Sequence, residues 1–92
     1  MKLSVVIPVY NEKATLEEII RRVQATPIEK EIIIVDDGST DGTNKLSENI
    51  AKSSNNSIRV IRHETNKGKG AAIINGMEKV KGDLIIIQDA DL

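Results

Sequence analysis

Three stretches of the chain are near-continuous aliphatic runs: Leu3 to Val9 around "SVVIPV", Glu31 to Val35 as "EIIIV", and Asp83 to Gln88 as "DLIIIQ". Runs rich in Ile and Val that do not alternate with polar residues suit parallel strands covered on both faces, where side chains of either direction meet apolar neighbours. A fourth stretch, Ile58 to His63 as "IRVIRH", partly alternates and carries two arginines, which predicts an edge strand with His63 exposed at its end. Between these runs the apolar spacing becomes helical. In "TLEEIIRRV", Leu16, Ile19, Ile20 and Val23 fall at i, i+3, i+4 and i+7, and Thr15 with Glu18 fits a capping box. In "TNKLSENIAKS", Leu46, Ile50 and Ala51 form a shorter stripe. In "GAAIINGMEKV", Ile73, Met77 and Val80 are expected to face the core, with Gly82 placed as a left-handed C-cap.

The resulting order, β-α-β-α-β-α-β, calls for right-handed crossovers in a parallel α/β sheet of four strands and three helices. The predicted strand order is 3-2-1-4, the chain winding outward from strand 1 and returning to place strand 4 on its other side. Such a reversal opens a crevice beyond the carboxyl ends of strands 1 and 4, where open α/β sheets bind ligands. Pro8 is a poor fit for a central strand except at its end or at a bulge.

Composition narrows the possibilities. With 92 residues there is room for one small domain. Thirteen basic residues against 14 acidic ones leave no electrostatic footprint for nucleic acid, and Tyr10 as the lone aromatic leaves no stacking platform for bases. The absence of cysteine excludes disulfides and thiolate metal sites and fits a reducing compartment. The opening "MKLSVVIPVYNE" lacks a signal-peptide cleavage pattern, and no apolar run approaches the roughly 20 residues that span a bilayer, so a cytoplasmic location is expected.

Each polar motif follows a strand, so the topology gathers them at one end of the sheet. Strand 1 leads into Tyr10-Asn11-Glu12, strand 2 into "DDGSTDGT" from Asp36, and strand 4 into Asp89-Ala90-Asp91. Residues i and i+2 of an extended chain point the same way, so Asp89 and Asp91 can face one cation, and hard oxygen ligands of this kind suit Mg²⁺ or Mn²⁺ shared with phosphates. Asp-Ala-Asp also serves as an ordinary turn. "DDGSTDGT" reads in part as a loop capping the next helix through Asp41 or Thr43, but two aspartates directly at a strand terminus ask for more, and Asp37 could accept from a base or a ribose. "NKGKGAA" has neither the Gly-Lys-Ser/Thr that ends a Walker sequence nor the third glycine of a dinucleotide fingerprint, since Ile73 stands there, which leaves a generic anion or close-approach loop. Tyr10 either packs on a ligand ring or plugs the top of the sheet.

Taken together, "SVVIPVYNE", "IIIVDDGSTDGT", "NKGKGAAIINGM" and "GDLIIIQDADL", in this order and spacing, resemble the amino-terminal half of the family 2 inverting glycosyltransferases, and most closely the dolichyl-phosphate mannosyl- and glucosyltransferases. The resemblance covers essentially the whole chain. It implies the Rossmann-like GT-A fold, with residues 1–92 as its donor-binding half. It also implies a nucleotide-sugar site of Pro8, Val9, Tyr10, Glu12, Asp37, Gly68, Lys69, Asp89 and Ala90, Asp37 reading the base. Asp89 and Asp91 would match the DXD-type motif that holds Mg²⁺ or Mn²⁺ on the diphosphate. The implied partners are a nucleoside-diphosphate sugar and a polyprenyl or dolichyl phosphate acceptor, with the full-length protein associated with the cytoplasmic side of a membrane.

Family domains continue past the DXD-type motif, so the 92 residues are expected to bind donor without efficient turnover and to self-associate through the edge of strand 4. A rival reading is a phosphoacceptor receiver domain in which Asp36, Asp37 and Asp89 share Mg²⁺ and Asp89 accepts phosphate. It requires all three carboxylates in one place.

Overall fold

The computed structural model describes residues 2–90, so Asp91 lies outside the described residues. Seven elements alternate along the chain: β1 (Leu3–Val9), α1 (Leu16–Gln24), β2 (Lys30–Asp37), α2 (Thr43–Lys52), β3 (Ile58–His63), α3 (Lys69–Met77) and β4 (Leu84–Ile87). The strands form one parallel sheet in the order β3-β2-β1-β4, as the aliphatic runs and their spacing predict.

The two central strands carry the core. On one face, Val5, Ile7 and Val9 of β1 and Ile32 and Ile34 of β2 pack against Leu16, Ile19 and Ile20 of α1, with Leu46 and Ile50 of α2 closing over the β3 side. On the other face, Val6, Ile33 and Val35 meet Ala72 of α3. Because every core residue of β1 and β2 has a helix above or below it, the sequence there needs no polar alternation. At β4 all four residues, Leu84 to Ile87, remain substantially exposed. Among the described residues no helix is long and apolar enough to cross a membrane.

Pro8 fits in the middle of the sheet for a geometric reason. Even-numbered residues of β1 turn their backbone groups toward β4, as the bond from the Gln88 N–H to the Val6 carbonyl shows. The β1–β4 ladder ends at Val6 and Ile87. The missing N–H of Pro8 therefore falls beyond the last rung and costs no ladder bond.

The helices depart from expectation at their ends and on one buried stripe. Thr15 makes no capping bond to α1; its hydroxyl donates instead to the Ala90 carbonyl at 2.5 Å, and Glu18 pairs with Arg21 and Arg22. At α2 the N-cap is Gly42 with φ 96°, while Asp41, one residue earlier, accepts from the Thr43 N–H at 3.0 Å and from the Thr43 hydroxyl. In α3 the buried residues are Ala72 and Gly76, whereas Met77 is 44 % exposed and Ile73 only half-buried. Sheet proximity explains the reversal: a Cβ on Gly76 would lie 2.5 Å from Val6 Cγ1, so this helix rests on the sheet through its smallest residues. Gly82 is not a C-cap, since α3 ends at Met77. It lies against β1, where an added Cβ would sit 2.5 Å from Ser4 Oγ, and its N–H donates to that oxygen at 2.8 Å.

Candidate functional site

The carboxyl ends of β1, β2 and β4 and the start of α3 enclose a cleft of about 320 Å³, with Tyr10, Glu12, Asp37, Lys69 and Asp89 among its walls. Pro8, Val9, Gly68 and Ala90 complete the set named from the sequence, and Asn66 and Ala72 join it. Asp37 and Asp89, 52 positions apart in the chain, thus share one rim. A larger groove of about 710 Å³ runs between α1 and β4, but its lining is mainly aliphatic, with Arg22 and Lys30 as its charged residues and no carboxylate to orient a polar ligand.

Loop chemistry builds the rim. The backbone N–H of Asn11 (φ 54°) donates to Ser39 Oγ at 2.9 Å, and its side-chain oxygen accepts from the Thr40 N–H at 2.8 Å, which stitches the loop after β1 to the loop after β2. Gly38 adopts φ 79° and lies so close to the strand β3 exit that a Cβ there would meet the Asn66 nitrogen at 2.6 Å. Only glycine satisfies both demands. The Thr15 hydroxyl, freed from capping, ties the Ala90 carbonyl and hence the loop after β4 to α1.

Asp37 is the most constrained polar group on the rim, with its side chain 4 % exposed. Oδ1 accepts from His63 Nδ1 and the Lys67 N–H, both at 2.8 Å, and Oδ2 accepts from the Gly68 N–H at 2.8 Å. Burial pushes its carboxyl up, but the hydrogen bonds from His63, Lys67 and Gly68 outweigh that and hold it below the ordinary aspartate value. A carboxylate offers about four acceptor positions, so Oδ2 retains room for one further donor, in a residue that lines the cleft.

Asp89 contrasts with it. Its side chain is 55 % exposed and pairs with the Lys69 ammonium at the mouth of the cleft. Tyr10 is 46 % exposed and lines the cleft, so it does not plug the top of the sheet. Glu12 lies beside it, partly buried. Among the described residues no group of three or more His, Cys, Asp or Glu is placed to hold a metal ion. Asp89 offers the hard oxygen that Mg²⁺ or Mn²⁺ takes, and such ions are commonly held by one or two carboxylates with substrate phosphates supplying further ligands, so the chemistry of this rim fits them.

Adjacent aspartates at the end of β2 part company. Asp36 points to the α1–α2 side, fully buried, with Oδ1 accepting from the Ser39 N–H at 3.1 Å and Oδ2 without a partner among the described residues. It does not line the cleft, which removes the three-carboxylate arrangement a receiver domain requires.

Sequence reading missed His63, expected to be exposed and found 5 % exposed, and its second partner Asn75, whose Nδ2 lies 2.6 Å from His63 Nε2. The signal was strand register: Asp37 and His63 are partners across β2 and β3. Counting back from both strand ends would have placed the imidazole beside the carboxylate.

Comparison with known proteins agrees with this geometry. The model of Glycosyl transferase family 2 matches residues 4–92. An undecaprenyl-phosphate 4-deoxy-4-formamido-L-arabinose transferase from Pseudomonas aeruginosa is 44% identical over 94 residues, covering 98% of this chain and 28% of that protein. A dolichol-phosphate mannosyltransferase from Pyrococcus furiosus is 39% identical over 94 residues, covering 100% of this chain and 26% of its own length. A mannosyltransferase from Pyrobaculum calidifontis, solved in complex with GDP-Man and Mn²⁺, superposes with a TM-score of 0.88 at 26% identity over 97% of this chain and 27% of that one. The chain thus spans a little over a quarter of the length of these proteins. With its strand order, its shared rim and a family match that runs through nearly every residue, the chain belongs to glycosyl transferase family 2.

Proposed function

We propose that residues 1–92 are the donor-binding half of an inverting glycosyltransferase that takes a sugar from a nucleoside diphosphate and passes it to a polyprenyl phosphate. The observation that carries this reading is the single cleft joining Asp37 to Asp89, because a nucleotide sugar needs a polar anchor for its nucleoside and a charged mouth for its diphosphate. The Pyrobaculum calidifontis mannosyltransferase was solved in complex with GDP-Man and Mn²⁺, and similar proteins are named for undecaprenyl and dolichol phosphates.

In this reading Asp37 accepts from the base or ribose through Oδ2, Tyr10 covers one side of the nucleoside, and Gly68 and Lys69 lie along the diphosphate. Asp89 and Asp91 would hold Mg²⁺ or Mn²⁺, which when bound neutralises negative charge on the diphosphate leaving group. Lys69 already lies against Asp89, so its ammonium is within reach of a diphosphate seated at that mouth. A phosphate acceptor is ionised at neutral pH and attacks without a general base, inverting the anomeric carbon. A lipid acceptor would bring the whole protein to a membrane surface, for which we propose the cytoplasmic side.

Thermal denaturation with GDP and UDP, each with and without Mn²⁺, tests the reading, since a ligand that binds only the folded chain raises its stability by mass action. A rise with at least one nucleotide that grows with Mn²⁺ is expected; no rise with either would overturn it. For the polypeptide of these 92 residues we also propose self-association through β4, supported by four exposed aliphatics, Leu84 to Ile87, on an edge strand. Light scattering at rising concentration should show mass growth, and a constant monomer mass would refute it.

A further inference from the structure

His63 is an unusual choice for its position. Val35 and Ile61 share its face of the sheet, and Ala72 covers that face from α3, so an aliphatic or aromatic side chain would find apolar neighbours there. The imidazole is nonetheless 5 % exposed and has both nitrogens paired, Nδ1 with Asp37 Oδ1 at 2.8 Å and Nε2 with Asn75 Nδ2 at 2.6 Å. An amide N–H donated to Nε2 leaves the ring proton on Nδ1, directed at the carboxylate. What the imidazole supplies beyond an apolar residue is this one oriented N–H.

We propose that Asn75 and His63 form a positioning relay that fixes the Asp37 carboxylate for the nucleoside end of the donor, and so set affinity for that end without touching the ligand. The inference rests on the donor-binding reading. The chemistry is specific about where the effect falls. Asp37 Oδ1 is filled by His63 and the Lys67 N–H, which leaves Oδ2 as the atom that meets a base imide or a ribose hydroxyl. Without the His63 N–H, Oδ1 loses one of its two donors and the carboxylate can rotate to satisfy itself elsewhere, carrying Oδ2 out of register. The Lys69–Asp89 pair at the diphosphate end is reached from His63 only through Asp37 and the Gly68 N–H.

The test is calorimetric titration of the 92-residue chain and its variants with GDP, UDP and inorganic pyrophosphate, all with Mn²⁺. His63→Leu should weaken the better-bound nucleotide about tenfold or more, the effect of losing a hydrogen bond to a charged group, while leaving pyrophosphate within about twofold. His63→Asn, whose amide N–H occupies nearly the place of Nδ1–H, should recover most of the loss, and Asn75→Leu should show a smaller one. A ¹⁵N spectrum of the wild-type imidazole should show the proton on Nδ1. Unchanged nucleotide affinity in His63→Leu overturns the relay, as does equal loss of nucleotide and pyrophosphate, no recovery in His63→Asn, or a proton on Nε2. A wild-type chain that binds pyrophosphate but neither nucleotide also overturns the relay, whereas one that binds none of the three sinks the donor-binding reading itself.

Discussion

The two ends of β2 each carry a buried carboxylate, and the pair are built alike. Glu31 accepts from Arg59 on β3 at 3.1 Å and from the N–H groups of Lys81 and Gly82 in the loop after α3. Asp37 accepts from His63 on β3 and from the N–H groups of Lys67 and Gly68 in the loop before α3. Together they pin both flanks of α3, a helix whose buried contacts come from Ala72 and Gly76 and supply little apolar area of their own. The ends differ in a fourth donor. At Glu31 the Ser4 hydroxyl supplies it at 2.5 Å, on the oxygen that the Lys81 and Gly82 N–H groups also reach, and a charged guanidinium completes the set. At Asp37 its place is left to the cleft, and the β3 partner is an imidazole. One arrangement closes the base of the sheet; its counterpart holds the same geometry open for a ligand.

The largest effect that separates the two ends is on stability. Glu31→Leu removes a buried acceptor from four donors, one of them cationic, and should cost about 3 kcal/mol in urea denaturation, with nucleotide affinity of the folded fraction unchanged within about twofold. Acid should act in the same sense at both ends. Burial pushes the Glu31 carboxyl up, but the Ser4, Lys81 and Arg59 hydrogen bonds and the Arg59 charge hold it below its ordinary value, as the His63, Lys67 and Gly68 bonds do for Asp37. A carboxylate whose folded value is depressed binds protons more readily when unfolded. Its stabilisation is therefore present at neutral pH and is lost as pH falls below roughly 4 through the folded values. Glu31→Gln should flatten that acid limb, and an unaltered limb would show that Glu31 is not linked to folding.

Asp37→Asn sharpens the contrast from the other side. It keeps the volume but sets an amide donor against the His63, Lys67 and Gly68 donors. GDP or UDP affinity in calorimetry should fall about a hundredfold, from the lost bond to the nucleoside together with the disturbed loop. If Asp37→Asn lowers only stability while Glu31→Leu lowers affinity, the assignment of roles to the two ends is reversed.

The next effect in size concerns α3 between the clamps. Gly76→Val would drive methyl groups into Val6 and Val35, where a Cβ alone already lies 2.5 and 3.0 Å from their methyls, and should cost about 2 kcal/mol from overpacking. Gly70→Ala, on the same helix with no atom within 4 Å of the added carbon, should be neutral or slightly stabilising by thermal denaturation.

These residues also show what a one-dimensional reading captures. The strands were legible because unbroken Ile and Val runs have few other homes in a short polar chain, and the order 3-2-1-4 followed from alternation and handedness. The rim was legible because every polar motif trails a strand. The α3 contact face was not. Ile73 and Met77 have helical spacing and larger apolar area, and nothing local says that the backbone approaches the sheet so closely that Ala72 and Gly76 must take the inner face; of the expected stripe, Val80, beyond the helix end, does pack on the core. His63 was missed because its partner lies 26 positions away, and only the β2–β3 register brings them together. Thr15 was misread for a related cause: a threonine three residues before a glutamate satisfies a capping box locally, but its backbone is helical (φ −117°, ψ −14°) where a cap is extended, and its hydroxyl donates to a carbonyl 75 positions away.

Thr15 carries the smallest and most discriminating effect. Its hydroxyl does not cap α1, so Thr15→Val should leave helix content unchanged by circular dichroism, whereas loss of a true cap would lower it. What the substitution removes is the 2.5 Å bond to the Ala90 carbonyl, the tie between α1 and the turn that presents Asp89. One neutral hydrogen bond contributes about 1 kcal/mol, so Mn²⁺-dependent nucleotide affinity should fall a few-fold, with affinity measured without Mn²⁺ unmoved. Equal losses in the two conditions would mean that the tie supports the whole rim and not the acidic turn after β4.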